Sequence, residues 1–84
     1  MHEITRFVYV LRSLSDPARH YVGLTSHVAR RLETHDSGGS IHTLANRPWQ
    51  LVVAIEFSNV NSAIAFERYL KTGSGRAFAK RHFI

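Results

Sequence analysis

No cysteine occurs among the 84 residues, and this constrains the chain more than any other feature. A disulfide framework, a thiolate zinc site and a cysteine nucleophile are all excluded. A chain this short buries only a thin core and has little stability to spare. It must therefore hold together through the patterning of its apolar residues, which make up 44% of the sequence and come in runs rather than singly. Such runs argue against disorder. The length suits one domain over residues 1–84. No stretch approaches the ~20 apolar residues of a membrane span, and Met1-His2-Glu3 does not open a signal peptide. A reducing cytoplasm is the expected setting.

The runs predict an element order. Residues 4–11 are rich in β-branched and aromatic side chains on both faces, as in a strand covered on two sides. Ser13-Leu14-Ser15-Asp16-Pro17 supplies turn chemistry, and residues 20–24 form a second short strand, the hairpin partner of the first. Thr25 or Ser26 can cap a helix running to about Ser37, which Gly38-Gly39 ends. Residues 41–48 read as a loop or a single turn. Residues 49–57 form a third strand, with Trp49, Leu51, Val53, Ile55 and Phe57 alternating onto one face. Asn59 or Asn61 opens a second helix to about Lys71. Thr72-Gly73-Ser74-Gly75 breaks that helix, and Ser74 can cap a short basic helix to the end. The order β-β-α-β-α-α predicts an α+β fold, a small three-stranded antiparallel sheet flanked by helices. No internal repeat, linker or low-complexity segment interrupts it.

The formal charge of +5 and a pI near 10.5 point to a polyanionic partner, nucleic acid ahead of an anionic membrane. A basic surface kept for solubility is the plain alternative. After Glu67 no acid follows, whereas Arg68, Lys71, Arg76, Lys80 and Arg81 do. Clustering of this kind favours a binding face, with Lys71, Arg76, Lys80 and Arg81 as candidate nucleic-acid contacts.

Of the six carboxylates, one is out of place. Val60, Ala63, Ile64, Phe66 and Leu70 form the apolar stripe of the second helix, and Glu67 falls inside it. A lone buried carboxylate is costly unless it is paired or bound to a cation. An ion pair with Lys71, one turn later, would answer that cost; so would a metal ion. On the first helix, Val28 and Leu32 mark the buried side and Arg31 and His35 flank it, one turn apart. A cation beside an imidazole suits a phosphate. Taken alone, the pair is more often a helix-surface pair in which His35 meets the negative end of the helix dipole. Tyr9 and Tyr21 lie on adjacent strands, where tyrosine commonly just packs. His2, His20, His27, His42 and His82 show no metal-ligand spacing.

Together these residues follow a familiar order. Phe7-Val8-Tyr9 and Tyr21-Val22-Gly23-Leu24-Thr25 resemble the paired motifs of the GIY-YIG nuclease superfamily. Arg31-Leu32-Glu33-Thr34-His35 is similar to its helix motif, His42-Thr43 and Arg47-Pro48-Trp49 to the link into its third strand, and Ala65-Phe66-Glu67 with Lys71 to its acidic helix. Phe7 stands where the family's name has its first glycine, as in the compact bacterial members. Residues 76–84 lack the late asparagine of several nuclease branches. The resemblance covers nearly the whole chain, and is closest to those compact members and to the catalytic module of the endonuclease that cuts branched DNA.

The resemblance implies a metal-dependent endonuclease that hydrolyses DNA phosphodiester bonds, structure-specific and serving repair or recombination. Its partners would be branched or flapped DNA and a partner protein. Tyr9 and Tyr21 would orient or deprotonate the attacking water, and Gly23 would allow close backbone approach. Arg31 would stabilise charge on the phosphate, and His35 would assist proton transfer or hold the phosphate. Glu67 would bind one Mg²⁺ or Mn²⁺, which would keep much of its water shell. The alternative is a nucleic-acid-binding module of weak catalysis, or a subunit that needs a partner to act.

Overall fold

The computed structural model describes residues 6–84; the expected start of the first strand at Ile4 lies outside them. Three strands form one antiparallel sheet in the order β2-β1-β3, with β1 (Arg6–Ser13) between β2 (His20–Thr25) and β3 (Trp49–Phe57). The helices are α1 (Val28–Asp36), α2 (Val60–Leu70) and α3 (Gly73–His82), with a single 3-10 turn at Leu44–Asn46 before β3. The expected α+β order β-β-α-β-α-α is the observed one.

β1 is apolar on both faces because both faces are covered. Val8 and Val10 point to one side and pack with Ala63, Leu70 and Ala79 of α2 and α3. Tyr9 and Leu11 point to the other side, with Trp49, Tyr21 and Leu32 of α1. The β1–β2 hairpin runs from Phe7 opposite Thr25 to Arg12 opposite His20. Its connection is tied by the buried Ser13, whose hydroxyl donates to Asn46 O at 2.6 Å and accepts from Asp16 N at 2.9 Å.

β3 departs from the simple alternation expected for it. Val10 pairs with Val53 but Leu11 pairs with Leu51, so Val52 is an extra residue, a β-bulge. An odd insertion flips every later side chain to the opposite face. The single stripe expected from the sequence is therefore split. Trp49 and Leu51 share the α1 face with their partners Ser13 and Leu11, whereas Val53, Ile55 and Phe57 turn toward α2 and α3. Leu51 is left partly exposed on this edge strand.

Two helix starts also differ from expectation. His27, not Thr25 or Ser26, caps α1: its Nδ1 accepts from Arg30 N at 3.2 Å, while the Thr25 hydroxyl is engaged in the preceding turn by His27 N. Ser37 caps the C-terminal end of α1, and Gly38 follows it with a φ of +84° that suits glycine. Asn59 caps α2, accepting from Ser62 N. Thr72, not Ser74, caps α3; its hydroxyl donates to Tyr69 O at 2.6 Å and accepts from Gly75 N at 3.1 Å, joining the two helices with one side chain.

Candidate active site

Four of the five expected catalytic residues meet on the α1 face of the sheet. Tyr9 is held on central β1, 1% exposed, opposite Gly23 of β2. The phenol lies flat across that glycine, so a Cβ at position 23 would overlap the Tyr9 hydroxyl and Cζ. Tyr21, on β2, places its ring centroid 6.2 Å from that of Tyr9 and 4.8 Å from that of His35. His35 is not on the flank of α1, as its spacing suggests, but is the helix's one fully buried residue. The Tyr9 hydroxyl lies 2.9 Å from His35 Nε2, and His35 Nδ1 lies 2.7 Å from the hydroxyl of Thr43, itself fully buried.

Arg31 sits one turn before His35, with its guanidinium against both phenols. Contact with Tyr9 is the main influence favouring its charged form. Its Nε is buried without a hydrogen-bond partner among the described residues. A buried donor left unpaired carries a cost, and an anion delivered to this spot would relieve it. Burial pushes the Tyr9 pKa up, opposed by the charges of Arg31 and Lys71. Burial also pushes the His35 pKa down, and Arg31 adds to that effect. Neutral imidazole is thus the form the site favours at neutral pH.

Glu67 stands apart from these four. Its carboxylate, 16% exposed, pairs with Lys71 Nζ at 2.5 Å. The carboxylate in the apolar stripe is thus engaged by the lysine one turn later. Lys71 connects it to the cluster, since its charge is felt at Tyr9. Among the described residues no three His, Cys, Asp or Glu side chains come together as a metal cage. One partly solvated carboxylate fits a cation that keeps most of its water and takes further oxygens from a phosphate, as Mg²⁺ does. It does not fit a fully protein-ligated ion.

The expected basic contacts divide. Lys71, Arg76 and Lys80 line one groove of ≈ 960 Å³ together with Arg19 and His20, and Tyr21 also lines it. Among the described residues no Asp or Glu side chain lines that groove. Arg81 lies instead beside Tyr69, Phe78 and His82 in a separate, smaller cavity. Arg76 and Lys80 are one turn apart, whereas Arg81 is about 100° further round the helix.

A family profile described as the GIY-YIG catalytic domain matches residues 6–81. The chain belongs to the GIY-YIG family. It is 34% identical to the structure-specific endonuclease subunit SLX1 of Candida dubliniensis over 98% of its own length and 30% of that protein's. Against a UPF0213 protein of Lactococcus lactis subsp. cremoris it is 35% identical over 80% of this chain and 67% of that one. The solution structure of a UPF0213 protein from Bacillus halodurans superposes with a TM-score of 0.56 at 29% identity, covering 92% of this chain and 81% of that one. The chain spans under a third of the length of the endonuclease subunits it matches first. The matched profile is that of a catalytic domain. Among the described residues no helix is long and apolar enough to cross a membrane.

Within this GIY-YIG domain, the sequence presents Thr43 only as part of the His42-Thr43 motif with no role attached, leaves Arg19 unmarked, and shows His20 as a surface or structural residue. Arg19 was legible as one more cation beside the second strand. Neither periodicity nor charge marks Thr43, whose role comes from the loop that folds it under α1. The glycine of the second motif has a steric reason to be glycine. Gly23→Ala is expected to drive the Tyr9 phenol away from His35, lowering cleavage about 10²-fold at little change in substrate affinity. Steady-state kinetics on a variant with an intact circular dichroism spectrum would check it, and unchanged kcat would refute the steric account.

Proposed function

We propose that this chain, acting as a single domain over residues 1–84, hydrolyses DNA phosphodiester bonds with one hydrated Mg²⁺ or Mn²⁺ at Glu67. The observation that carries this reading is the buried Tyr9–His35 pair beside a guanidinium whose Nε has no partner among the described residues. Arg31 receives a non-bridging oxygen of the scissile phosphate and holds the charge that grows there, a role most effective where water is excluded. Tyr9 takes a proton from the attacking water as its own hydroxyl proton passes to His35 Nε2. One O–H bond forms on Tyr9 as another breaks, and His35 leaves as imidazolium. This path answers the difficulty that phenol has a reference pKa of about 10, raised further here by burial. Tyr21 meets His35 in a tilted ring contact, with centroids 4.8 Å apart, and bounds one side of the imidazole. The metal ion, when bound at Glu67, supplies Lewis-acid stabilisation of the phosphate and leaving oxygen. Lys71, Arg76, Lys80 and Arg19 hold the flanking DNA backbone through contacts that position without reading sequence, and Arg81 contacts nucleic acid from its separate face.

The names of the matched endonuclease subunits support branched or flapped DNA as substrate, a role in repair or recombination, and a partner protein that selects the substrate. Absence of cysteine suits a reducing cytoplasm. A second reading, a binding module of weak catalysis, draws on the ion pair that already engages the Glu67 carboxylate.

One assay separates the two. Labelled flap, junction and duplex DNA are incubated with the protein in Mg²⁺, in Mn²⁺ and in chelator. Metal-dependent cutting is expected, whereas binding that weakens with salt and no cutting would favour the second reading. The pH profile is a further check. His35 must be neutral to accept a proton and its pKa is depressed, so the acid limb of kcat is expected below about 6.5, with a plateau by neutral pH. A limb centred above neutral would exclude His35 as the acceptor.

A further inference from the structure

The direction of each hydrogen bond around His35 can be worked out from what its partners are able to donate. The Tyr9 hydroxyl is buried, so its proton needs an acceptor. Among the described residues His35 Nε2 is the acceptor within reach, at 2.9 Å. The neighbouring Arg31 guanidinium carries only donors. Nε2 must therefore hold a lone pair. Burial and Arg31 both disfavour imidazolium, so the neutral ring carries its single proton on Nδ1. That proton points at the Thr43 hydroxyl oxygen, 2.7 Å away. Thr43 accepts it and directs its own hydroxyl proton toward Ser40 O, at 3.4 Å.

We infer that Thr43 is a positioning residue for the reaction: its hydroxyl oxygen fixes His35 in the Nδ1–H tautomer, leaving Nε2 free to receive the Tyr9 proton. A side chain without an acceptor at this place would let the ring take the opposite tautomer, whose Nε2–H faces the Tyr9 oxygen and cannot accept from it. The loop that carries Thr43 is built to hold it still. Trp49 Nε1 donates to Thr43 O at 3.0 Å, and Trp49 N donates to the Asp36 carboxylate at 2.6 Å, so both ends of the loop are fastened beside His35. The charged or titratable groups facing the imidazole are Tyr9, Tyr21 and Arg31, with Asp36 next to it in sequence.

This inference deepens the proposed nuclease reading, and its kinetic consequence rests on that reading; the tautomer itself does not. The test is a long-range ¹H–¹⁵N correlation spectrum of the histidine side chains at neutral pH, recorded on the wild type, Thr43→Val and Thr43→Ser. His35 is identified by the resonance that disappears in His35→Gln. The wild type and Thr43→Ser are expected to show the Nδ1–H pattern, and Thr43→Val a mixed or Nε2–H pattern. In parallel, Thr43→Val is expected to lower kcat about tenfold or more with KM unchanged, and Thr43→Ser to restore it. An Nε2–H imidazole in the wild type overturns the inference even where Thr43→Val does not fold. So does a Thr43→Val protein that keeps a pure Nδ1–H ring, or one that keeps full kcat. A wild type that cuts no DNA, yet loses the Nδ1–H pattern in Thr43→Val, sinks the nuclease reading and leaves the role of Thr43 standing.

Discussion

Gly75→Ala is expected to lower the melting temperature by roughly 10–20 °C, or to leave the chain unfolded. Gly75 is buried in the first turn of α3, where the helix crosses the end of α2. A Cβ there would fall on Tyr69 O and Tyr69 C and within 2.6 Å of Leu70 Cα. These are backbone atoms of a helix and cannot swing aside as a side-chain tip does. The two helices would have to separate, pulling Leu70 and Ala79 from the core against β1. Overpacking of this kind costs about 2–3 kcal/mol or more, and each kcal/mol moves the midpoint of a domain this size by about 4–8 °C. Gly73, two residues earlier, is the internal control. Nothing lies within 4 Å of its added Cβ, so Gly73→Ala is expected to shift the midpoint by no more than a few degrees. Thermal melts of the two variants would check both statements, and equal midpoints would refute the packing account.

Glu67→Ala is expected to abolish metal-dependent cleavage, by about 10³-fold or more, while leaving the fold in place. The Glu67 carboxylate pairs with Lys71, whose charge acts in turn on Tyr9. On the proposed reading, a metal ion at Glu67 would stabilise transition-state charge by several kcal/mol, most of which the variant would forfeit. Stability should change little, because alanine is a good helix residue and the lost ion pair has a largely exposed lysine partner. Full activity in Glu67→Ala, measured beside an unchanged melting curve, would sink the assignment of the metal to this residue.

Much of this was legible in the sequence. Strand and helix order follow from local patterning, and a glutamate inside an apolar stripe announces itself without a fold. What stayed hidden depends on pairing across the chain. The bulge at Val52 is a property of how β3 meets β1, and the large apolar residues at every odd position from 49 to 57 conceal it. His35 looked like a flanking residue because α1 alone leaves it at the edge of its apolar stripe. It is buried because Tyr9, Tyr21 and Thr43, from three other parts of the chain, close over it. The caps at His27 and Thr72 were missed because neighbouring hydroxyl residues competed for the same role, and only the turn geometry decides among them. The split between Arg81 and the other α3 cations was recoverable from helical angle alone.

The sheet order β2-β1-β3 also dictates an order of assembly. β1 meets β2 across a short turn, so that hairpin can form as soon as the first 25 residues are available. Its pairing with β3 closes loops of roughly 35 to 50 residues, a larger entropic toll, and must wait until the strand and α1 have emerged. Tyr9, Tyr21 and Gly23 are thus gathered early on the hairpin, while His35 is locked into place only when Trp49 arrives with the third strand and ties down the loop carrying Thr43. On this entropic argument the contact between Tyr9 and His35 is completed together with closure of the sheet.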